Sequence, residues 1–259
     1  MIETGDYSIK VEEGVMIFES KRLSPVLVSI PHDGLPFREF SGLFEPRKIG
    51  HRGRDLHVWP IAKDILSSAT VNAVRGLMPR TLIDYNRAWP CGINYYPLTQ
   101  KEVHTALDDP RLYPAYFYYH ASIDRILWTS IKKFGRNRCL LIDLHGFGKQ
   151  PSSAPQGGYD LILGTGNRIS IPHGDIDNRL AYFMTCRGYS VFLPKTTSVG
   201  LDGDPYSAEF TTRHHSEKHS INVIQVEIAS RFRVQGVREL GQKLSADFAE
   251  FIRSNYLEC

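Results

Sequence analysis

Cysteine is scarce in this sequence: 4 residues among 259, at Cys91, Cys139, Cys186 and Cys259. None forms a Cys-x-x-Cys pair, which argues against a zinc ribbon and a thioredoxin-like motif. Four dispersed cysteines in a chain this long suit a reducing compartment. Long hydrophobic runs are missing too, and nothing approaches the roughly 20 apolar residues of a membrane-spanning helix. The N-terminal stretch MIETGDYSIKVEEG has neither the basic nor the apolar segment of a secretory signal. Charge of one sign is also lacking. The 31 Lys and Arg face 28 Asp and Glu, a net charge of +3, and the basic residues are scattered. That balance builds no field to attract a nucleic acid or an anionic membrane. A cytoplasmic protein with neither as a partner is expected.

Several enzyme signatures are absent as well. There is no P-loop. The nearest approach to Gly-x-Ser-x-Gly is TTSVG, with Thr196 where the first glycine belongs. The stretch GTGNRI follows a strand but ends in Ile169, so it does not complete Gly-x-Gly-x-x-Gly. The polar stretch RHHSEKH (213–219) puts His215 and His219 four apart, but it has no apolar stripe and reads as a solvated loop. No internal repeat or low-complexity linker divides the chain, and one domain over 1–259 is expected.

What is present is an alternation of strands and helices. SPVLVSIPHDG (24–34), TVNAVRG, RTLIDYNR, RCLLIDLHG, YDLILGT, YSVFLP and INVIQVEIA read as strands. RDLHVWPIAKDILSSA (54–69), the region 107–135, GDIDNRLAYFMTCRG (174–188) and GVRELGQKLSADFAEFIRS (236–254) read as helices. Such alternation predicts an α/β fold with a sheet covered on both faces, a three-layer sandwich. Nearly all-apolar strands fit a mixed, mostly parallel central sheet.

In such a sheet the chemistry collects beyond the carboxyl ends of the strands. One strand ends in His32, one in Asp143 and His145, one in Glu227, and TLIDYNR leads into Asn86 and Arg87. Asp143 and His145 are two apart and share a face. Imidazole binds divalent transition metals well, and a neighbouring carboxylate can orient it. His32 and His145 are therefore candidate metal ligands. A third ligand is sought among Asp55, His51 and His57, Asp55 alternatively being a helix cap. Glu227 is a candidate general base on a metal-bound water, or else a partner for Arg231. Arg80 and Arg87 offer planar forks for an anionic substrate, or surface ion pairs.

The motifs VLVSIPHDGLP, RDLHVWPIA, RTLIDYNRAWP, LIDLHGFG, GDPYSAEFTTR and VIQVEIASRFR, in that order from about Pro25 to Arg233, resemble the N-formylglutamate amidohydrolases. That family is related in fold and site to zinc carboxypeptidases and aspartoacylases. The resemblance implies a zinc hydrolase cutting a carbon–nitrogen amide bond, with another divalent transition metal as an alternative. It implies His32, Asp55 and His145 as ligands, and Glu227 as general acid/base. Asn86 and Arg87 would hold a substrate carboxylate, with Arg87 also stabilising the oxyanion and Arg80 and Arg213 as further anion contacts. The implied partner is a small anionic substrate. Gly146 stands where the family often has serine, and Ser207 and Ala208 where it often has Gly-Gly. A carboxypeptidase, another N-acyl-amino-acid deacylase and a non-catalytic binding protein are the alternative readings.

Overall fold

A computed structural model describes residues 2–4, 6–34, 55–80, 83–89, 110–148, 158–195, 206–233 and 238–257. His51 and the TTSVG stretch lie outside these residues. The strands are β1 (Ile2–Thr4), β2 (Tyr7–Glu12), β3 (Val15–Ser20), β4 (Val26–Ile30), β5 (Asn72–Gly76), β6 (Leu140–Phe147), β7 (Leu161–Gly164), β8 (Val191–Phe192) and β9 (Asn222–Ala229). They form one sheet in the order β1-β2-β3-β5-β4-β6-β9-β7-β8. The central run β5-β4-β6-β9 is parallel. β7 joins antiparallel to β9, and β8 parallel to β7.

The helices are α1 (Val58–Ser68), α2 (Tyr113–Phe134), α3 (Ile176–Cys186), α4 (Phe210–His219) and α5 (Arg238–Ile252). They cover both faces, as the alternation predicts. Leu140, Ile142 and Leu144 of β6 pack with α1, α3 and α5 on one face. Leu141 of β6 and Leu27 of β4 pack with α2 on the other. A parallel strand buried on both faces must be apolar on both, and this is why these strands read as continuous hydrophobic runs.

The second face changes character toward the carboxyl ends. Leu27 is followed by Ser29 on the same side, Leu141 by Asp143 and His145, and Val223 by Gln225 and Glu227. The register sets Ser29 beside Asp143, Asp143 beside Gln225 and His145 beside Glu227. Polar residues that are far apart in the chain thus form adjacent rows, roughly 4.8 Å from strand to strand.

Four local expectations need correction. The antiparallel strands β1 to β3 are additional elements. β2 and β3 close through Glu13 (φ 49°) and Gly14 (φ 69°), a two-residue turn with both φ positive, as tight hairpins favour. Their charged, half-exposed residues hide the strand pattern. TLIDYNR is not a strand in its described part: residues 83–89 form a turn, with the Ile83 N–H donating to the Pro79 carbonyl at 3.1 Å. RHHSEKH is no solvated loop; it lies in α4, with His215 and His219 fully buried. Finally, the side chain of Asp55 does not cap α1. Asp33, at the end of β4, accepts the Trp59 N–H at 2.7 Å instead.

The loop carrying Asn86 and Arg87 is anchored by Tyr85. Its ring is fully buried and stacks on Tyr119 of α2 at 4.4 Å. A Cβ at Gly76 would lie 2.7 Å from Tyr85 Cδ2 and 3.0 Å from the Pro31 carbonyl. Gly76→Ala is therefore expected to destabilise the protein by about 1–3 kcal/mol through overpacking. Urea denaturation checks this; an unchanged midpoint would show that the Tyr85 seat has slack.

Candidate active site

His32, Asp55 and His145 converge, each buried, with one possible ligand atom apiece lying within 4.8 Å of the others. β4 delivers His32 just beyond its end, β6 delivers His145, and the segment before α1 delivers Asp55. The Asp55 N–H donates to the His32 carbonyl at 3.0 Å, which fixes that segment against the end of β4. Asp55 Oδ2 lies 3.5 Å from His32 Nδ1 and 3.1 Å from His145 Nδ1. His57 has φ 65° at the N-terminus of α1 and is not part of this group.

Two further acids set the state of the imidazoles. Asp84 Oδ1 is 2.8 Å from His32 Nε2, and Asp143 Oδ2 is 2.9 Å from His145 Nε2. Burial raises the Asp84 acid, but Arg80, Arg87 and His32 outweigh it and hold the group well below the usual carboxylate range. Asp84 is then an acceptor only, so His32 Nε2 carries the proton. His32 Nδ1 is a buried nitrogen with no hydrogen-bond partner. Asp143 is itself fixed by the Ser29 hydroxyl, which donates to Oδ1 at 2.6 Å. Imidazoles whose Nε2 protons are locked by carboxylates, and whose Nδ1 atoms face a shared carboxylate, suit a divalent metal site.

The charges respond to one another. Burial pushes His145 down, but Asp143, Asp55 and Glu227 outweigh it and hold the imidazole well above its ordinary range. Burial raises Asp55, and the hydrogen bond to His145 with the nearby His32 imidazole brings it below the carboxylate range. Burial pushes Glu227 up to about 8; His145 opposes that, while Asp55 and Glu209 reinforce it. Glu227 Oε1 accepts a hydrogen bond from Gln225 Nε2 at 3.0 Å. The alternative partner Arg231 is engaged elsewhere, in an ion pair with Asp160.

Asn86 and Arg87 point at an acid already in the protein. Arg87 Nη1 donates to Glu209 Oε2 at 2.6 Å, and Asn86 Nδ2 donates to the same oxygen at 2.7 Å. Tyr116 holds the loop by donating to the Arg87 carbonyl at 2.6 Å. The Glu209 N–H donates to Gln225 Oε1 at 2.8 Å, so one glutamine amide links Glu209 to Glu227. Ala208, just before, has φ 97°, a conformation that favours the glycine seen there in the family pattern. Arg80 Nε donates to Asp84 Oδ2 at 3.0 Å, and Arg213 Nε to the Ala208 carbonyl at 2.9 Å.

Asp84, Glu209 and Arg233 were not singled out from sequence. Asp84 stands two residues before Asn86, and Glu209 lies inside the GDPYSAEF motif, so both had a positional signal. Arg233 Nε donates to the Ile228 carbonyl at 3.0 Å, and Nη2 to the Phe147 carbonyl at 2.9 Å. A Cβ at Gly146 would come within 2.5 Å of Arg233 Nε. The missing side chain at 146 is what admits the guanidinium beside the site.

A family model described as N-formylglutamate amidohydrolase matches residues 24–232, and the chain belongs to that family. The fold is similar to that of N-formylglutamate amidohydrolase from Ralstonia eutropha JMP134. That similarity has a TM-score of 0.67 and 17% identity over 94% of this chain and 99% of that one. A gene product from Agrobacterium tumefaciens is also similar, with a TM-score of 0.61 and 14% identity over 95% of this chain and 94% of that one. No curated protein matches the sequence. Among the described residues no helix is long and apolar enough to cross a membrane.

The raised Glu227 acid has a consequence for stability. Its folded value of about 8 lies above the unfolded value of 4.5. Its contribution is therefore fully present below pH 4.5 and is lost as pH rises through 8. In chelator-treated protein, Glu227→Gln should remove this loss, so that the variant gains on wild type between pH 5 and pH 9. Denaturation midpoints at both pH values test this; parallel pH profiles would contradict the raised acid.

Proposed function

We propose, from membership of the N-formylglutamate amidohydrolase family together with this geometry, that the chain is a zinc-dependent amidohydrolase. It removes a formyl or other acyl group from the nitrogen of an acidic amino acid such as N-formylglutamate. The observation that carries the metal reading is the orphaned His32 Nδ1, aimed with His145 Nδ1 at Asp55 while Asp84 and Asp143 hold the opposite nitrogens. His32, Asp55 and His145 would hold the ion, three protein ligands being the usual number for a catalytic site. When bound, zinc supplies Lewis-acid polarisation of the scissile carbonyl and brings the pKa of water to about 7. Another divalent transition metal would satisfy the same donors.

The remaining steps belong to the chain's own groups. Glu227, opposite His145 in the sheet register, takes a proton from the attacking water and returns it to the leaving nitrogen. A carboxyl that readily holds a proton near neutrality suits both halves of that task. Arg87 faces the negative charge that develops on the carbonyl oxygen. Asn86 and Arg87 also receive the substrate's carboxylate, a reading supported by their grip on the carboxylate of Glu209. Arg80 and Arg213 add positive charge around this clamp. The internal Glu209, with the departures at Gly146 and Ala208, also favours an acyl-amino-acid deacylase with a substrate other than N-formylglutamate.

The direct test is zinc-loaded protein against N-formyl, N-acetyl and N-succinyl derivatives of glutamate and aspartate, following release of the free amine. Cleavage of at least one is expected. No cleavage of any, with the metal stoichiometric, would leave a binding protein in its place. Glu227→Gln should keep the metal and lower kcat by about 10²–10⁴-fold. Near-normal kcat would remove Glu227 from the proton transfer. His145→Ala should lose metal and activity together. Asp143→Asn should weaken metal binding by about 10–100-fold, read by competition with a chromophoric chelator.

A further inference from the structure

A second group of metal-ligating side chains lies outside this site. Asp124 of α2 and His215 and His219 of α4 bring one possible ligand atom each within 4.8 Å of one another. The histidines are four apart and share a helix face. Both are fully buried, although α4 has no apolar stripe to bury them. Asp124 Oδ1 lies 3.2 Å from His215 Nδ1 and 2.7 Å from His219 Nε2. Lys218 Nζ donates to the other oxygen, Oδ2, at 2.6 Å, which leaves Oδ1 turned toward the histidines.

A chain of hydrogen bonds decides where the protons sit. His120 Nε2 is 2.9 Å from the Tyr85 carbonyl, which can only accept, so Nε2 carries the proton. His120 Nδ1 is then a lone pair, and 3.1 Å away His215 Nε2 must donate to it. His215 Nδ1, on the other side of the ring, is fully buried, has no hydrogen-bond partner and faces Asp124 Oδ1 3.2 Å away. A cation held between them would give both atoms a partner.

We propose that His215 Nδ1, His219 Nε2 and Asp124 Oδ1 form a second site for a divalent transition metal. The ion gives His215 Nδ1 a partner and takes the place of the hydrogen bond between His219 Nε2 and Asp124 Oδ1. Two imidazoles and one carboxylate select zinc, cobalt or nickel over magnesium or calcium. The site ties α2 to α4, and through His120 and the Tyr85 carbonyl it supports the loop that presents Asn86 and Arg87.

Co²⁺ titration of chelator-treated protein tests this, with binding read by calorimetry and by visible absorption. Wild type should take up two equivalents. His219→Gln should lose one, and the chain with His32→Ala and Asp55→Ala should keep one. Adding Asp124→Asn to that chain should weaken the remaining site by at least about tenfold. If only this second site exists, wild type takes up one equivalent that His219→Gln removes and His32→Ala with Asp55→Ala does not. That result supports this site while contradicting the metal reading of the first. Should a histidine variant fail to fold by circular dichroism, wild type in which paramagnetic Co²⁺ broadens the His215 and His219 NMR signals supports the site. Wild type saturating at one equivalent that depends on His32, with those signals untouched, overturns it.

Discussion

The candidate active site rests on the placement of two protons, those on Nε2 of His32 and His145. Each is held there by a carboxylate, Asp84 or Asp143, and each leaves Nδ1 facing Asp55. Those acids hold both rings so that the Nδ1 atoms stay turned toward Asp55. The proton-holding acids are in turn fixed from outside. Ser29 donates to Asp143, while Arg80 and the Asn86 N–H donate to Asp84. The arrangement therefore extends from the β4 strand through the loop after β5, and its rigidity comes from the sheet itself.

That rigidity is a product of register. The parallel pairing of β4, β6 and β9 sets serine, aspartate and glutamine in one row and histidine and glutamate in the next. A shift by one residue in any of these strands would turn its polar side chains into the apolar layer under α1 and α5. The same strands carry Val28, Ile142 and Ile224 on that apolar side, so burial there opposes the shift. Packing on one face thus fixes the geometry of the candidate site on the other.

The central strands were legible because burial on both faces leaves long apolar runs, and the ends of those runs named His32, Asp143, His145 and Glu227. Asp55 was legible only through resemblance, since an acid ahead of a helical stretch equally describes a cap; in the structure Asp33 does the capping from another strand. Periodicity failed where burial is polar. α4 has no apolar stripe and buries His215 and His219 against Asp124 and His120. It failed also for β2 and β3, whose exposed charged residues mask a hairpin. Glu209 escaped because its role is a contact with Arg87 across 122 positions of sequence, which no local pattern encodes.

Charge balance joins these observations into one account of what the site accepts. The acids Asp55, Asp84, Asp143, Glu209 and Glu227, all buried but the half-buried Asp84, outnumber the nearby guanidiniums of Arg80, Arg87 and Arg233 by two. Two unpaired negative charges in a low-dielectric interior are too costly to keep, so the protein binds protons instead. The two groups whose affinity for protons is raised are His145 and Glu227. With both protonated the local charge is zero. A divalent cation brings the same two charges. On the proposed function it would take the place of both protons, freeing His145 Nδ1 to ligate and Glu227 to act as a base. Neutrality is preserved in either state, so the fold can assemble the site before the ion arrives. On the proposed function, the exchange would also make Glu227 available as a base only when the cation is present.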